Sequence, residues 1–368
     1  MKRILCLSLA LLLTLLCACA STPEETEPTP APTETEAITD PPTDPPTDPP
    51  VLYRNPLTGE PMDQPMTARP FAVMMNNYKS ALPIHGISQA DILYEAVTEG
   101  GMTRCMGIFS DLTAAKNIGS IRSARRHFVS VALSYDAIYV HYGKSSVEGR
   151  PDVAAQQYMD QTGINHMDGT SKGYPYFFES KDRINAGYNR GDECHFLVGQ
   201  RAIDYAKDNG FSLNRNKALD YGMKFDDEKV IVGKTANTVT AYFNEGGTPS
   251  SWTKYTRLEY DKATKTYLSF QFGQKNVDGN TGEQLAFRNV LVLKAKTTTY
   301  AGKLKVIQLE GTGEGYFACN GQLVPIKWSR KNAADPFTYT LEDGTPITFG
   351  VGKTYVAIVP GNATVTYQ

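Results

Sequence analysis

This sequence has little to offer metal or disulfide chemistry. Three of its six cysteines (Cys6, Cys17 and Cys19) crowd into the first 19 residues, leaving Cys105, Cys194 and Cys319 far apart and odd in number. No CxxC, CxxH or HExxH spacing occurs, so neither a zinc site nor any other metal site is expected. The three thiols are either all free or one pair with one left over. No apolar run reaches the roughly 20 residues of a comfortable transmembrane helix. Net charge over the 368 residues is −2, and such a balance does not suit a nucleic-acid partner. No G-x-S-x-G elbow is present. Gly143-Lys144-Ser145 lacks the glycine that a phosphate loop needs five residues earlier, where Ile138 stands. Ser251-Trp252-Thr253-Lys254 has S-x-x-K spacing but none of the partner motifs, and reads as coincidence. Gly311-Thr312-Gly313-Glu314-Gly315 falls between strand-like runs and reads as a flexible turn, not a dinucleotide loop. No cofactor is expected.

What is present begins with export. Lys2 and Arg3 precede an apolar stretch from Ile4 to Leu16, the pattern of a signal peptide over residues 1–18. Leu16-Cys17-Ala18-Cys19 resembles the bacterial lipobox, with Cys19 as the residue to be lipidated. Residues 20–50 then hold ten of the 22 prolines, eight threonines and eight acids without one base. Such a segment has almost nothing to bury and is expected to be disordered. As an extended Pro-rich chain it spans about 3.1 Å per residue, so residues 19–50 form a tether reaching on the order of 90 Å. The acids keep it off an anionic bilayer.

The remainder divides by pattern. In residues 51–215, apolar runs at Phe71 to Met75, Ile92 to Val97, Met102 to Phe109, Ile118 to Ile121 and Asp136 to Tyr142 read as strands. Gly100-Gly101 suits a tight hairpin between the second and third. Helical patterns cover Ser123 to Leu133, with Ser123 as N-cap, then Asp152 to Gln161 and Gln200 to Asn209. Residues 216–368 alternate apolar and polar residues in short runs separated by turns such as Asp278-Gly279, Asp343-Gly344 and Pro360-Gly361. The expected fold class is α+β: an N-terminal mixed α/β domain over 51–215, then a mostly antiparallel β domain over 216–368.

Several motifs resemble a known family. Arg69-Pro70-Phe71-Ala72-Val73-Met74-Met75-Asn76-Asn77 is similar to the opening motif of the YerB-like lipoproteins of Gram-positive envelopes. Gly86 to Glu95, Glu99 to Arg104, Ile118 to Arg125 and Tyr135 to His141 continue the likeness. So do Gly313 to Phe317, Pro325 to Arg330 and Phe349 to Tyr355. Cys105 stands where the family pattern has an aromatic, and Cys194-His195-Phe196 replaces a His-Asn pair. The resemblance implies a lipoprotein with two domains of unknown function, and supplies no catalytic residues.

The densest polar cluster joins Asp91, Glu95 and Glu99 to Arg104, Arg122, Ser123, Arg125, Arg126 and His141. Arginine forks match carboxylate or phosphate oxygens two at a time, and a helix start favours an anion. Arg104, Arg122, Ser123 and Arg125 are therefore anion-binding candidates; alternatively the arginines pair with Asp91, Glu95 or Asp136 as a structural network. Asp91 and His141 are the candidate acid or base. Trp328 and Arg330 are either a binding patch or an interface plug. The chain is thus expected to sit on the outer face of the cytoplasmic membrane, anchored through Cys19. There it would bind a cell-wall glycan, an anionic lipid-linked precursor or an envelope protein. The alternative is an enzyme acting on a phosphate- or pyrophosphate-bearing wall precursor through the arginine cluster.

Overall fold

A computed structural model describes residues 53–228 and 233–368. The expected signal peptide, Cys19 and tether lie outside the described residues. The described part forms one compact unit.

Strand β1 is Phe71–Met75, β2 Ile92–Val97 and β3 Thr103–Phe109. Helix α1 (Arg126–Ser134) follows, then β4 (Ile138–His141), α2 (Ala155–Thr162), β5 (His166–Asp168) and α3 (Gly199–Asp208). Beyond residue 228 come β6 (Lys234–Thr235), β7 (Thr238–Tyr242), β8 (Tyr255–Asp261) and β9 (Thr266–Gln271). The chain ends with β10 (Asn289–Ala295), β11 (Gly311–Cys319), β12 (Gln322–Arg330), β13 (Thr354–Pro360) and β14 (Val365–Tyr367). The molecule is α+β, mixed in its N-terminal part and mostly antiparallel in its C-terminal part.

One sheet of eleven strands spans both parts, in the order β6-β12-β11-β10-β13-β2-β3-β1-β4-β5, with Thr338–Thr340 also paired to β12. The junction is the parallel pair β13–β2, Thr354 to Ile358 against Ile92 to Ala96. Every residue of β2 and β13 is buried, which explains why, apart from Glu95 and Thr354, they are apolar without alternation: a strand covered on both faces has no reason to alternate. On one face of β2, Tyr94 meets Tyr135, just past α1; on the other, Glu95 meets Thr256 of β8. A second sheet of six strands, built on β14-β7-β8-β9, packs on that second face.

Two local expectations change. Helix α1 starts at Arg126, and Ser123 does not cap it: the cap position is Arg125, without a capping side-chain bond. The supposed flexible turn Gly311–Gly315 is the first half of β11, hydrogen-bonded throughout to β12. Its glycines are needed for close approach. A Cβ on Gly313 would lie 2.5 Å from the Trp328 ring, and one on Gly315 would lie 2.3 Å from the Val292 carbonyl oxygen. Among the described residues, no helix is long and apolar enough to cross a membrane.

Candidate functional site

Strands β1, β4 and β5 run parallel, and β2 shares their direction because β3 lies antiparallel between β1 and β2. Their carboxyl ends bring Asn76, Asn77, Glu99, His141 and Asp168 to one edge, where α/β sheets commonly hold ligands. The expected arginine group sits here. Arg125 forms a fork on Glu99, with Nη2 2.9 Å from Oε2 and Nε on Oε1. Buried Arg104 donates to the Ser123 carbonyl at 2.7 Å and lies 3.7 Å from Glu99. Arg122 turns away to Asp192 and lies over the Tyr78 ring at 5.9 Å. The Ser123 hydroxyl lies beside Gly143. Two guanidinium groups thus converge on a carboxylate. Burial, with Arg125 and Arg122 close by, lowers the Arg104 pKa to about 9. Burial alone would raise the Glu99 pKa, but the Arg125 fork and Arg104 hold it below the usual range. The Nε atoms of Arg104 and Arg122 have no hydrogen-bond partner among the described residues.

Asp91 and His141 occupy different places. Asp91 precedes β2, at the opposite end from Glu99, and accepts the Ser110 N–H at 2.6 Å. Burial raises its pKa. His141 ends β4, fully buried, with Nδ1 2.8 Å from the Gly143 carbonyl and Nε2 3.0 Å from His166 Nδ1. Burial lowers its pKa to about 4, keeping it neutral. Asp168 accepts the backbone N–H groups of Gly143 and Thr170 at 3.0 Å and binds Lys144. Burial opposes its ionised form, but His141, Lys144 and these N–H groups outweigh that and hold its pKa low. Neither candidate has an oxygen or nitrogen directed at the other, so no acid–base pair is assembled between them.

Trp328 and Arg330 do not form a surface patch. Trp328 is 2 % exposed, its indole donating to the Lys294 carbonyl at 3.1 Å. Arg330, equally buried, bonds the Ser130 carbonyl at 3.1 Å and Glu310 at 3.1 Å, tying α1 to β12. The interface-plug alternative describes them. Cys105, Cys194 and Cys319 are all free and buried. Among the described residues no cluster of His, Cys, Asp and Glu is arranged to hold a metal ion.

A cavity of about 550 Å³ was not anticipated. It lies where the carboxyl edge of β1 and β2 meets the loop before β8. One wall is Asn77 to Lys79 and the Gly100–Thr103 turn; the other is Ser251 to Tyr255 with Phe272 and Gly273. Beneath it lies a buried ion pair, Lys254 Nζ 2.9 Å from Glu95 Oε1. Asn77 Nδ2 and the hydroxyls of Thr103, Thr256 and Tyr355 also donate to Glu95, at 2.6–2.9 Å. Burial alone would raise the Glu95 pKa, but Lys254 and the hydroxyls outweigh it and hold the carboxyl ionised. Lys254 also sits 5.1 Å from the Phe272 ring centroid. Trp252, at the rim, is 93 % exposed. A sequence signal existed: one of only two tryptophans lies within the turn-rich run Gly246-Gly247-Thr248-Pro249-Ser250 to Trp252.

Comparison with known proteins places these features in a family context. Residues 57–196 match the family model described as "Protein of unknown function (DUF3048) N-terminal domain". Residues 247–356 match its C-terminal counterpart. The Bacillus subtilis (strain 168) protein named "Putative lipoprotein YerB" is 27% identical over 308 residues, which is 83% of this chain and 86% of that protein. The crystal structure of YerB protein from Bacillus subtilis superposes with a TM-score of 0.71 at 25% identity, covering 85% of this chain and 99% of that one.

Proposed function

Because the chain belongs to the YerB-like family, we propose that it is a lipid-anchored envelope protein on the outer face of the cytoplasmic membrane. Anchored through Cys19 and held off the bilayer by residues 20–50, it binds a wall component or an envelope protein partner. The observation that carries this reading is the open, aromatic-walled cavity at the meeting of the two family segments, floored by a saturated ion pair. The enzyme alternative needs free arginine forks; Arg104 and Arg125 hold Glu99, and Arg122 holds Asp192.

Thermal unfolding of the mature chain against muropeptides, prenyl pyrophosphates with and without Mg²⁺, and pyrophosphate tests the reading. A ligand at about 100 times its dissociation constant adds roughly 2.7 kcal/mol. A muropeptide shift, or a protein crosslinked specifically in the native envelope, supports binding. A pyrophosphate shift abolished in Arg122→Ala favours the enzyme instead. No shift and no crosslinked protein would remove the binding reading.

A further inference from the structure

The wall of the 550 Å³ cavity carries chemistry of a particular kind. Four aromatic side chains contribute: Tyr78, Trp252, Tyr255 and Phe272. Between them lie the hydroxyls of Ser251 and Thr253 and the backbone of two glycine turns, while the Asn77 amide and the Thr103 hydroxyl are engaged by Glu95. No carboxylate lines it. The ammonium of Lys254 is committed to Glu95 and the Thr256 hydroxyl, which leaves Lys79 as the one other cationic side chain in the lining. The cavity is therefore too weakly charged to be built around a phosphate. It also has no free sheet edge for a peptide strand, since its walls are turns rather than strands.

The backbone at Trp252 is held where it is. Its loop closes on itself: the Ser250 N–H donates to Thr253 Oγ1 at 2.9 Å, and the Thr253 N–H to the Ser250 carbonyl at 3.0 Å. The next residue, Lys254, is fixed to the floor by Glu95. The indole thus stands in water at the end of a hydrogen-bonded turn that is anchored to the core. A single exposed ring carries no message by itself, but one that rims a cavity walled by three further aromatic residues belongs to a contiguous candidate binding surface. Pyranose rings present flat C–H faces edged by hydroxyl and amide groups, which matches an aromatic platform flanked by neutral donors and acceptors.

We propose that this cavity is a saccharide subsite, with Trp252 as its stacking platform and a neutral N-acetylated amino-sugar chain as its ligand class. The proposal rests on the binding reading above and specifies its ligand. The two tryptophans offer a direct readout: Trp328 is buried and Trp252 is exposed. In the full mature chain carrying Trp328→Phe, Trp252 is the sole indole emitter. Chitotetraose and solubilised muropeptides are titrated while acrylamide quenching is followed, with calorimetry on the unmodified chain alongside. The expected result is a blue-shifted, quencher-protected emission with both ligands. Trp252→Ala should weaken affinity at least tenfold, as loss of a central aromatic anchor does, while its unfolding midpoint stays unchanged. Ligand binding that Trp252→Ala leaves intact overturns the proposal. So does an unprotected Trp252 with both saccharides at millimolar concentration. Protection by muropeptide but not by chitotetraose assigns recognition to the lactyl ether or the peptide stem, which chitotetraose lacks: it overturns the neutral amino-sugar class and leaves the binding reading standing. Capture of an envelope protein that saccharide does not displace has the same consequence.

Discussion

Glu95 carries an ionised carboxylate into the centre of the molecule, on a strand otherwise made of apolar and aromatic residues. Five donors surround it, and Lys254 supplies the countercharge. Removing one partner of a buried pair leaves the other charge uncompensated, at a cost of about 3–5 kcal/mol, whereas replacing both with apolar residues can be close to neutral. Lys254→Met is therefore expected to lose about 3–5 kcal/mol in urea unfolding, and Glu95→Leu combined with Lys254→Met to recover much of that. A single-variant loss below about 1 kcal/mol would class the contact with ordinary surface ion pairs. The acid was conspicuous in the sequence within Ile92 to Val97; its partner was not. No local periodicity links residue 95 to residue 254, and the S-x-x-K spacing, a coincidence, carried no hint that Lys254 is buried against that acid. Trp328 left two readings open, a binding patch or an interface plug. Its cationic neighbours Lys327 and Arg330 suggested a surface, but strand alternation places Trp328 and Arg330 inside and Lys327 outside.

Strands β1, β2 and β3 were legible almost residue for residue, because buried strands bounded by Asn, Asp and Gly leave a clear apolar block; the three-residue β5 leaves none and was not read. What composition hides is pairing. The block at Tyr355 to Val359 reads as one more β run, yet β13 lies between β10 and β2 and joins sequence-distant parts by parallel ladders. Residues 51–215 expressed alone would leave β2 with an unpaired edge, apolar except for Glu95, the kind of edge that aggregates. The expected outcome on size-exclusion chromatography is aggregate or a β2-mediated oligomer. A monomer with protected β2 amides would show that the segment folds without β13. The arginines belong to this scale as well. Arg125 sits at the start of α1, and Glu99 sits in the β2–β3 turn, so their fork pins that helix to the hairpin. Glu99→Gln is expected to cost roughly 1–3 kcal/mol by leaving partly buried guanidinium groups short of an acceptor, measured as a lower urea midpoint with an unchanged slope.

Across the whole molecule, all five histidines share one behaviour. His85, His127, His141, His166 and His195 each have a lowered pKa, with burial the leading cause. His127 falls to about 3 and His141 to about 4, from 6.5. Both ring nitrogens of His127 lack partners among the described residues, and Arg125 opposes its protonation further. The sign follows from linkage. Between pH 6.5 and about 4 the unfolded chain takes up protons that the folded chain refuses, so stability is full above pH 6.5 and falls as the solution is acidified. At pH 4.5, two units below 6.5, His127 and His141 together account for a loss of roughly 5 kcal/mol, at about 1.4 kcal/mol per unit each. Asp91, whose pKa burial raises, works weakly the other way near the bottom of this window. Urea unfolding at half-unit steps from pH 7.5 to 4.5 should show the decline beginning near 6.5, before ordinary carboxylates titrate. His127→Leu should flatten the slope by about one proton and raise stability at the acid end, because the orphaned imidazole is replaced by a side chain that has nothing to protonate. A profile flat down to pH 5, or a His127→Leu slope equal to that of the parent, would mean that water or solvent reaches these rings in the folded state.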